Sequence, residues 1–273
     1  MNTNTHELAT NPFSAVLLQM QYTPLLNIEH YIAPIQDMLR KLGYPLCHTM
    51  KGDIVQLTTS GDLEKKAIEQ WMLVSSDYQK ALILDAEKCT FQVFDTQANS
   101  LDAIVREFEF LVHTLDTILD FSIITRLGLR CIQSIVESTN LSWKTIVQKG
   151  FLGSSLPVDI PWTGSGWYNF ALQRTIQLQV LQNPSIFQVR ILQNPSGRLY
   201  PDDILRDPRG LTDFVTPQTL VTCIDLDHYG SVEYIDKQTL LLNQKEIFHA
   251  FYAVIMKVFL TTITTKEAHA LWS

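Results

Sequence analysis

The 273-residue chain reads as an α+β protein of two similar-sized halves, each a mostly antiparallel sheet packed by a long amphipathic helix. Three patterns predict this. Residues 101–119 carry Leu101, Ile104, Val105, Phe108, Leu111, Val112, Leu115, Ile118 and Leu119 at three-to-four spacing behind Ser100, a helix-capping residue. Residues 247–259 repeat the device with Ile247, Phe248, Phe251, Val254, Ile255, Val258 and Phe259. Residues 168–181 alternate Phe170, Leu172, Ile176, Leu178 and Val180 with Ala171, Gln173, Thr175, Gln177 and Gln179, the period of a strand with one buried and one wet face.

The elements follow in order. A polar start leads into a strand at 14–20 and a helix at 27–42, stopped by Gly43 and Pro45. Its Pro34 either marks a start near Ala33 or kinks the helix. Short strands at 54–59, 71–75, 81–84 and 90–95, separated by turn residues, predict an antiparallel meander. After the 101–119 helix, residues 123–132 form a strand of apolar residues interrupted by Arg126 and Arg130. A short helix is expected at 141–148, then a linker at 150–166 rich in glycine, proline and serine. The pentapeptide Leu-Gln-Asn-Pro-Ser occurs at 181–185 and 192–196 and brackets a strand at 186–191 with two turns. A polar loop at 197–216, a strand at 220–226 and a last helix from Asn243, with Glu246 completing a capping box, end the chain. The boundary between halves falls near residue 140, giving 1–140 and 141–273, closely packed.

Composition narrows the function classes. With 46% hydrophobic and 18% charged residues the chain is expected to be ordered. A net charge of −7, with no run of lysines or arginines, argues against nucleic acid as a partner. Cys47, Cys89, Cys131 and Cys223 are far apart and form no Cys-x-x-Cys pair, so reduced thiols are expected rather than zinc or a disulfide framework. The beginning of the chain lacks the pattern of a secretory signal, and the apolar stretch at 248–260 is interrupted by Lys257 and short for a membrane span. A cytoplasmic location without membrane contact is the expectation.

Four groups of residues are candidates for function. Arg126 and Arg130 stand among buried-strand residues, where a guanidinium must find a partner or reach water, so they mark an edge or cleft. Trp162 and Trp167, with Tyr168, flank a glycine pair and are either core anchors or a binding surface. Arg198, Asp202, Asp203, Arg206 and Arg209 enrich the 197–210 loop in both signs, which makes it the leading contact candidate. Asp225, Asp227 and His228 form the one metal-like cluster, its two carboxylates on one side of a strand end; a charged strand end without metal is the simpler reading. No nucleophile elbow, phosphate loop or zinc spacing occurs, so no catalytic residue and no cofactor is assigned.

Trp71, the 100–119 helix, Arg126-Leu127-Gly128-Leu129-Arg130, Phe248-His249, Phe259, Thr261-Thr262 and the closing residues 267–272 together resemble a sporadically distributed family of uncharacterised bacterial and archaeal proteins. Members follow Gly-Leu-Arg with Tyr-Ile-Asn, where this chain has Cys131-Ile132-Gln133. The resemblance implies no catalytic residues. With the acidic charge, it points to a non-catalytic protein-interaction component, such as an immunity, antitoxin or phage-defence accessory protein with a protein partner. Two alternatives are a metal- or nucleotide-dependent enzyme with its site between the halves, and a homo-oligomeric ligand-binding scaffold, for which a homodimer is the simplest form.

Overall fold

In the computed structural model, the described residues are 11–57, 63–138, 142–151, 171–180, 183–194, 196–204, 206, 215, 219–232 and 237–272. The candidates Trp162, Trp167 and Arg209 lie outside them, as does most of the 150–166 linker.

The strands are β1 (Ala15–Tyr22), β2 (Leu46–Leu57), β3 (Leu63–Val74), β4 (Lys80–Leu84), β5 (Lys88–Phe94), β6 (Ile124–Val136), β7 (Ala171–Val180), β8 (Asn183–Asn194) and β9 (Val221–Ser231). The helices are α1 (Glu29–Lys41), α2 (Leu101–Leu119), α3 (Trp143–Ile146) and α4 (Lys237–Val258). All nine strands join one antiparallel sheet in the order β2-β3-β4-β5-β1-β6-β9-β8-β7. The two halves form contiguous blocks of one sheet, fused where β1 pairs with β6 and Leu18 faces Leu129. Each block is wired alike: its first strand pairs with its last, β1 with β5 and β6 with β9. Each last strand is then followed by a long helix, α2 or α4.

Period-two alternation sorts the side chains. Val16, Leu18 and Met20 of β1, Leu127, Leu129 and Cys131 of β6, and Ile224 and Leu226 of β9 enter one core with the stripes of α2 and α4. Phe108 of α2 meets Phe248 of α4 edge-on at 5.6 Å. All four helices contribute to this face of the sheet. On the opposite face, Ala15, Leu17, Phe94, Ile132, Val221 and Cys223 form a smaller core closed by Tyr200 and Ile204 from the loop after β8.

Several boundaries differ from the sequence reading. Strand β2 starts at Leu46 because pairing with β3 carries it through Lys51, Gly52 and Asp53, which have no strand preference of their own. Helix α1 passes through Pro34 instead of starting beside it, and Pro34 sits on the exposed side. Helix α4 begins six residues before Asn243 and is tied down at Lys237, whose ammonium lies 2.8 Å from Asp116 and 3.2 Å from Asp120. The continuous helical rod of 27 residues, Lys237–Ile263, is long and apolar enough to cross a membrane, and 33% of its most apolar window is buried in the fold. The alternation in β7 does not produce a fully buried face: Ile176 is 41% exposed on the outermost strand, and among the side chains described there Leu178 is the one packed against the core.

Leu18 and Leu129 are fully buried at the seam between the blocks. Leu129→Ala is expected to cost about 2–5 kcal/mol of unfolding free energy, read as a lower urea midpoint with an unchanged slope.

Candidate functional site

The side chains that carry chemistry converge on the helix-free face of β6, β9 and β8. Arg126, Gly128 and Arg130 alternate along β6, while Asp225, Asp227 and Tyr229 do so along β9. Arg190 of β8 stands opposite Asp225. Arg130 reaches past its direct neighbour Asp227 to Asp225, donating from Nε to Oδ1 at 2.8 Å and from Nη2 to Oδ2 at 2.9 Å. Arg190 adds a third contact at 2.8 Å to the same carboxylate, which is wholly inaccessible. The far side of the Arg130 guanidinium donates to both oxygens of Asp203 at 2.5 and 3.1 Å. Such two-pronged contacts fix orientation as well as charge.

These contacts use up most of the loop charge that the sequence offered as a contact surface. Arg198 pairs with Asp202 at 2.6 Å, and Arg206 pairs with Asp95 at 2.8 Å and donates to the Tyr78 carbonyl at 3.1 Å. Arg206, together with Asp203 on Arg130, staples the loop to the sheet, while the Arg198–Asp202 pair braces the loop internally. Partial desolvation opposes the ionisation of Asp203, whose side chain is 60% exposed, but Arg130 more than offsets it and holds the carboxyl below its usual range. Asp227 behaves oppositely. Burial raises its pKa, and the nearby Arg130 and Arg126, with which it forms no ion pair, only partly compensate.

Arg126 is different. Its guanidinium lies 3.6 Å above the Tyr229 ring, and its Nε is buried without a hydrogen-bond partner. Among the described residues it forms no ion pair. Burial lowers its pKa, with Asp227 and Tyr229 opposing the shift. Gly128 stands opposite Tyr229, where an added Cβ would lie 3.3 Å from the Tyr229 Cβ, a tight contact. Gln188 Nε2 donates to the Tyr229 hydroxyl at 3.4 Å. Arg126 and Tyr229 form one wall of a groove of about 890 Å³, which also takes Gln21, Gln177, Gln179 and Ile186. No acidic side chain lines it, and Arg126 is its single charged group among the described residues.

His228 does not join Asp225 and Asp227. One residue further along β9 it faces the helices, fully buried, so the three candidate ligands never converge. Among the described residues, no three metal-ligating side chains come together elsewhere either. The His228 ring lies 4.4 Å from the Phe251 ring of α4. Its Nε2 is 3.0 Å from the Ser185 hydroxyl and its Nδ1 is 3.4 Å from the Phe251 carbonyl. This pattern assigns a neutral ring that accepts from Ser185 and donates to Phe251. Burial pushes its pKa down to about 4, against the opposing backbone bond to Phe251. With Ser185 only 4% exposed, the pair is a polar brace joining β8, β9 and α4.

The sequence reading found Arg126, Arg130, Asp203 and Asp225 but not Arg190, Tyr229 or the three glutamines. Tyr229 was legible as the next same-side residue after Asp227. The glutamines carry no signal until the strand order brings them together. No protein-family model matches this chain, and no curated protein is detectably similar to it.

Removing one member of a buried ion cluster strands the others. Asp225→Asn should cost about 3–5 kcal/mol, whereas Asp203→Asn, at the exposed end, should cost under about 1 kcal/mol, both measured by chemical denaturation. The unfolded chain protonates His228 near its ordinary value of 6.5 while the folded chain resists until about 4. Stability from this group is therefore present above pH 6.5 and lost as pH falls towards 4, by about 3 kcal/mol. Urea midpoints across that window should show this slope in the native chain and lack it in His228→Gln.

Proposed function

We propose that this protein is a non-catalytic interaction component whose docking site is the Arg126–Tyr229 groove, and that it receives an acidic segment of a protein partner. The carrying observation is the contrast among the arginines on this side of the sheet. Arg130, Arg190 and Arg198 each have a carboxylate, whereas Arg126, whose Nε is buried without a partner as are those of Arg190 and Arg198, has in place of a carboxylate an aromatic ring and an open groove. A desolvated guanidinium gains most from an incoming carboxylate, because charge-assisted bonds are the strong ones and arginine dominates interface energetics. The carboxamides of Gln21, Gln177 and Gln179 offer donors and acceptors suited to a peptide backbone.

An immunity, antitoxin or phage-defence accessory role is the biological setting we attach to this surface, in keeping with the family resemblance. The reading as a metal- or nucleotide-dependent enzyme lacks a converging ligand set among the described residues, since Asp225 already binds two arginines and His228 faces away.

The reading is tested with a display library of peptides about twelve residues long, with acidic flanks around a core of alternating β-branched and polar residues. Selected peptides should bind the native chain and lose about tenfold in affinity with Arg126→Gln. Arg126→Lys should recover part of that loss, because an ammonium restores charge without the planar fork. A lysine-flanked library that is enriched equally well would overturn the reading.

A further inference from the structure

The two edges of the sheet are built differently. Strand β2 carries Lys51, Gly52 and Asp53 at its middle, the kind of charged and irregular sequence that discourages another strand from pairing. Strand β7 is ten residues long, Ala-Leu-Gln-Arg-Thr-Ile-Gln-Leu-Gln-Val, with no lysine, proline, glycine or acid. Among the described residues it pairs with β8 alone. Residues 173–177 are exposed on both faces of the strand, including an apolar Ile176 at 41%. Its single charge is Arg174, which stacks 4.6 Å over Phe151 and donates to the Gly150 carbonyl at 3.3 Å.

This edge runs directly into the groove, because Gln177 and Gln179 belong to both. From a strand added beyond β7 to β6, which bears Arg126, there are four strand spacings, about 19 Å, a distance that about six extended residues cover. From these juxtapositions we infer that the acidic partner segment is captured as a tenth strand along β7, its flank crossing the groove to Arg126. Charge selects this occupant over a second copy of the chain. Edge and groove together offer Arg174 and Arg126 and no acid, so two copies would bring like charges together, while an acidic strand meets opposite ones. Main-chain hydrogen bonds would supply affinity, and the Arg126 contact would supply selectivity.

This inference rests on the function proposed above and is tested separately from it. A peptide selected from the library is synthesised in two forms, N-methylated at the odd or at the even amides of its core, and titrated by fluorescence anisotropy against the native chain. A strand added to an edge directs every second amide at its neighbour. One form should therefore bind about tenfold more weakly and the other like the parent. If both forms bind like the parent while Arg126→Gln still weakens them, strand addition is wrong and groove docking stands. If no peptide is selected, both proposals fall. If light scattering gives a dimer mass that Ile176→Lys reduces to a monomer, a second copy occupies the edge and the inference is overturned.

Discussion

An arginine on a strand with neighbours on both sides has nowhere to go but along the sheet, and the helix-free face is organised around that constraint. Strand β6 lies between β1 and β9, so Arg130 must be paired or pay several kcal/mol in desolvation. Asp225 meets it two-pronged from the next strand, Arg190 balances the second carboxylate oxygen, and Asp203 closes the outer side. Replacing such a cluster with well-packed apolar residues is often neutral or favourable, so its value here lies in position. It holds the 196–206 loop where Tyr200 and Ile204 can close the smaller core.

The same constraint acts differently on Arg126, four residues earlier on β6. The pairing of β1 with β6 slips there: Gln21 faces Arg126, Tyr22 faces Ile124, and Thr125 is the extra residue between them. An extra residue in one strand increases local twist and re-aims its neighbours. On its other side β6 stays in register with β9: the Thr125 carbonyl accepts from the Val232 amide at 3.0 Å, the next step of that pairing, and from the Ser231 hydroxyl at 3.4 Å. Arg126 thus stands at the irregular end of a central strand, beside an aromatic ring and beyond the reach of the carboxylates that neutralise Arg130. The bulge and the groove are one feature, and Thr125 lines both.

Much of the fold was legible in the sequence wherever one physical period dominated. The stripes of α2 and α4 announced long helices because each buries one continuous face. Asp225 and Asp227 were readable as sharing a side because a strand's period is two, and by the same rule His228 belonged on the other side, although its adjacency suggested a single cluster. The first half of β2 was not legible, since Lys51-Gly52-Asp53 becomes strand only through its pairing with β3. The pairing of Arg130 with Asp225 was also hidden, because it depends on β6 and β9 being neighbours across 95 residues of chain. The loop at 197–210 looked like a contact surface for an instructive reason: alternating charge is equally the signature of a segment that pairs with charges elsewhere in its own fold.

The chain as a whole is acidic, which would count against an acidic partner if net charge decided association. Length scales argue otherwise. At physiological ionic strength, interactions between exposed charges fade over about 8 Å, so most of the net charge of −7 is screened from a segment approaching the groove. Within contact distance, the guanidinium of Arg126 acts in a partly desolvated setting, where a unit charge pair at a given separation is stronger than in bulk water by roughly the ratio of the aqueous to the local dielectric constant. A short-range cation in an acidic surround therefore favours an acidic segment that can come all the way in and rejects one held at the rim. Backbone pairing along β7 would provide that close approach, and the long-range repulsion that remains would slow encounters with acidic chains that cannot add a strand.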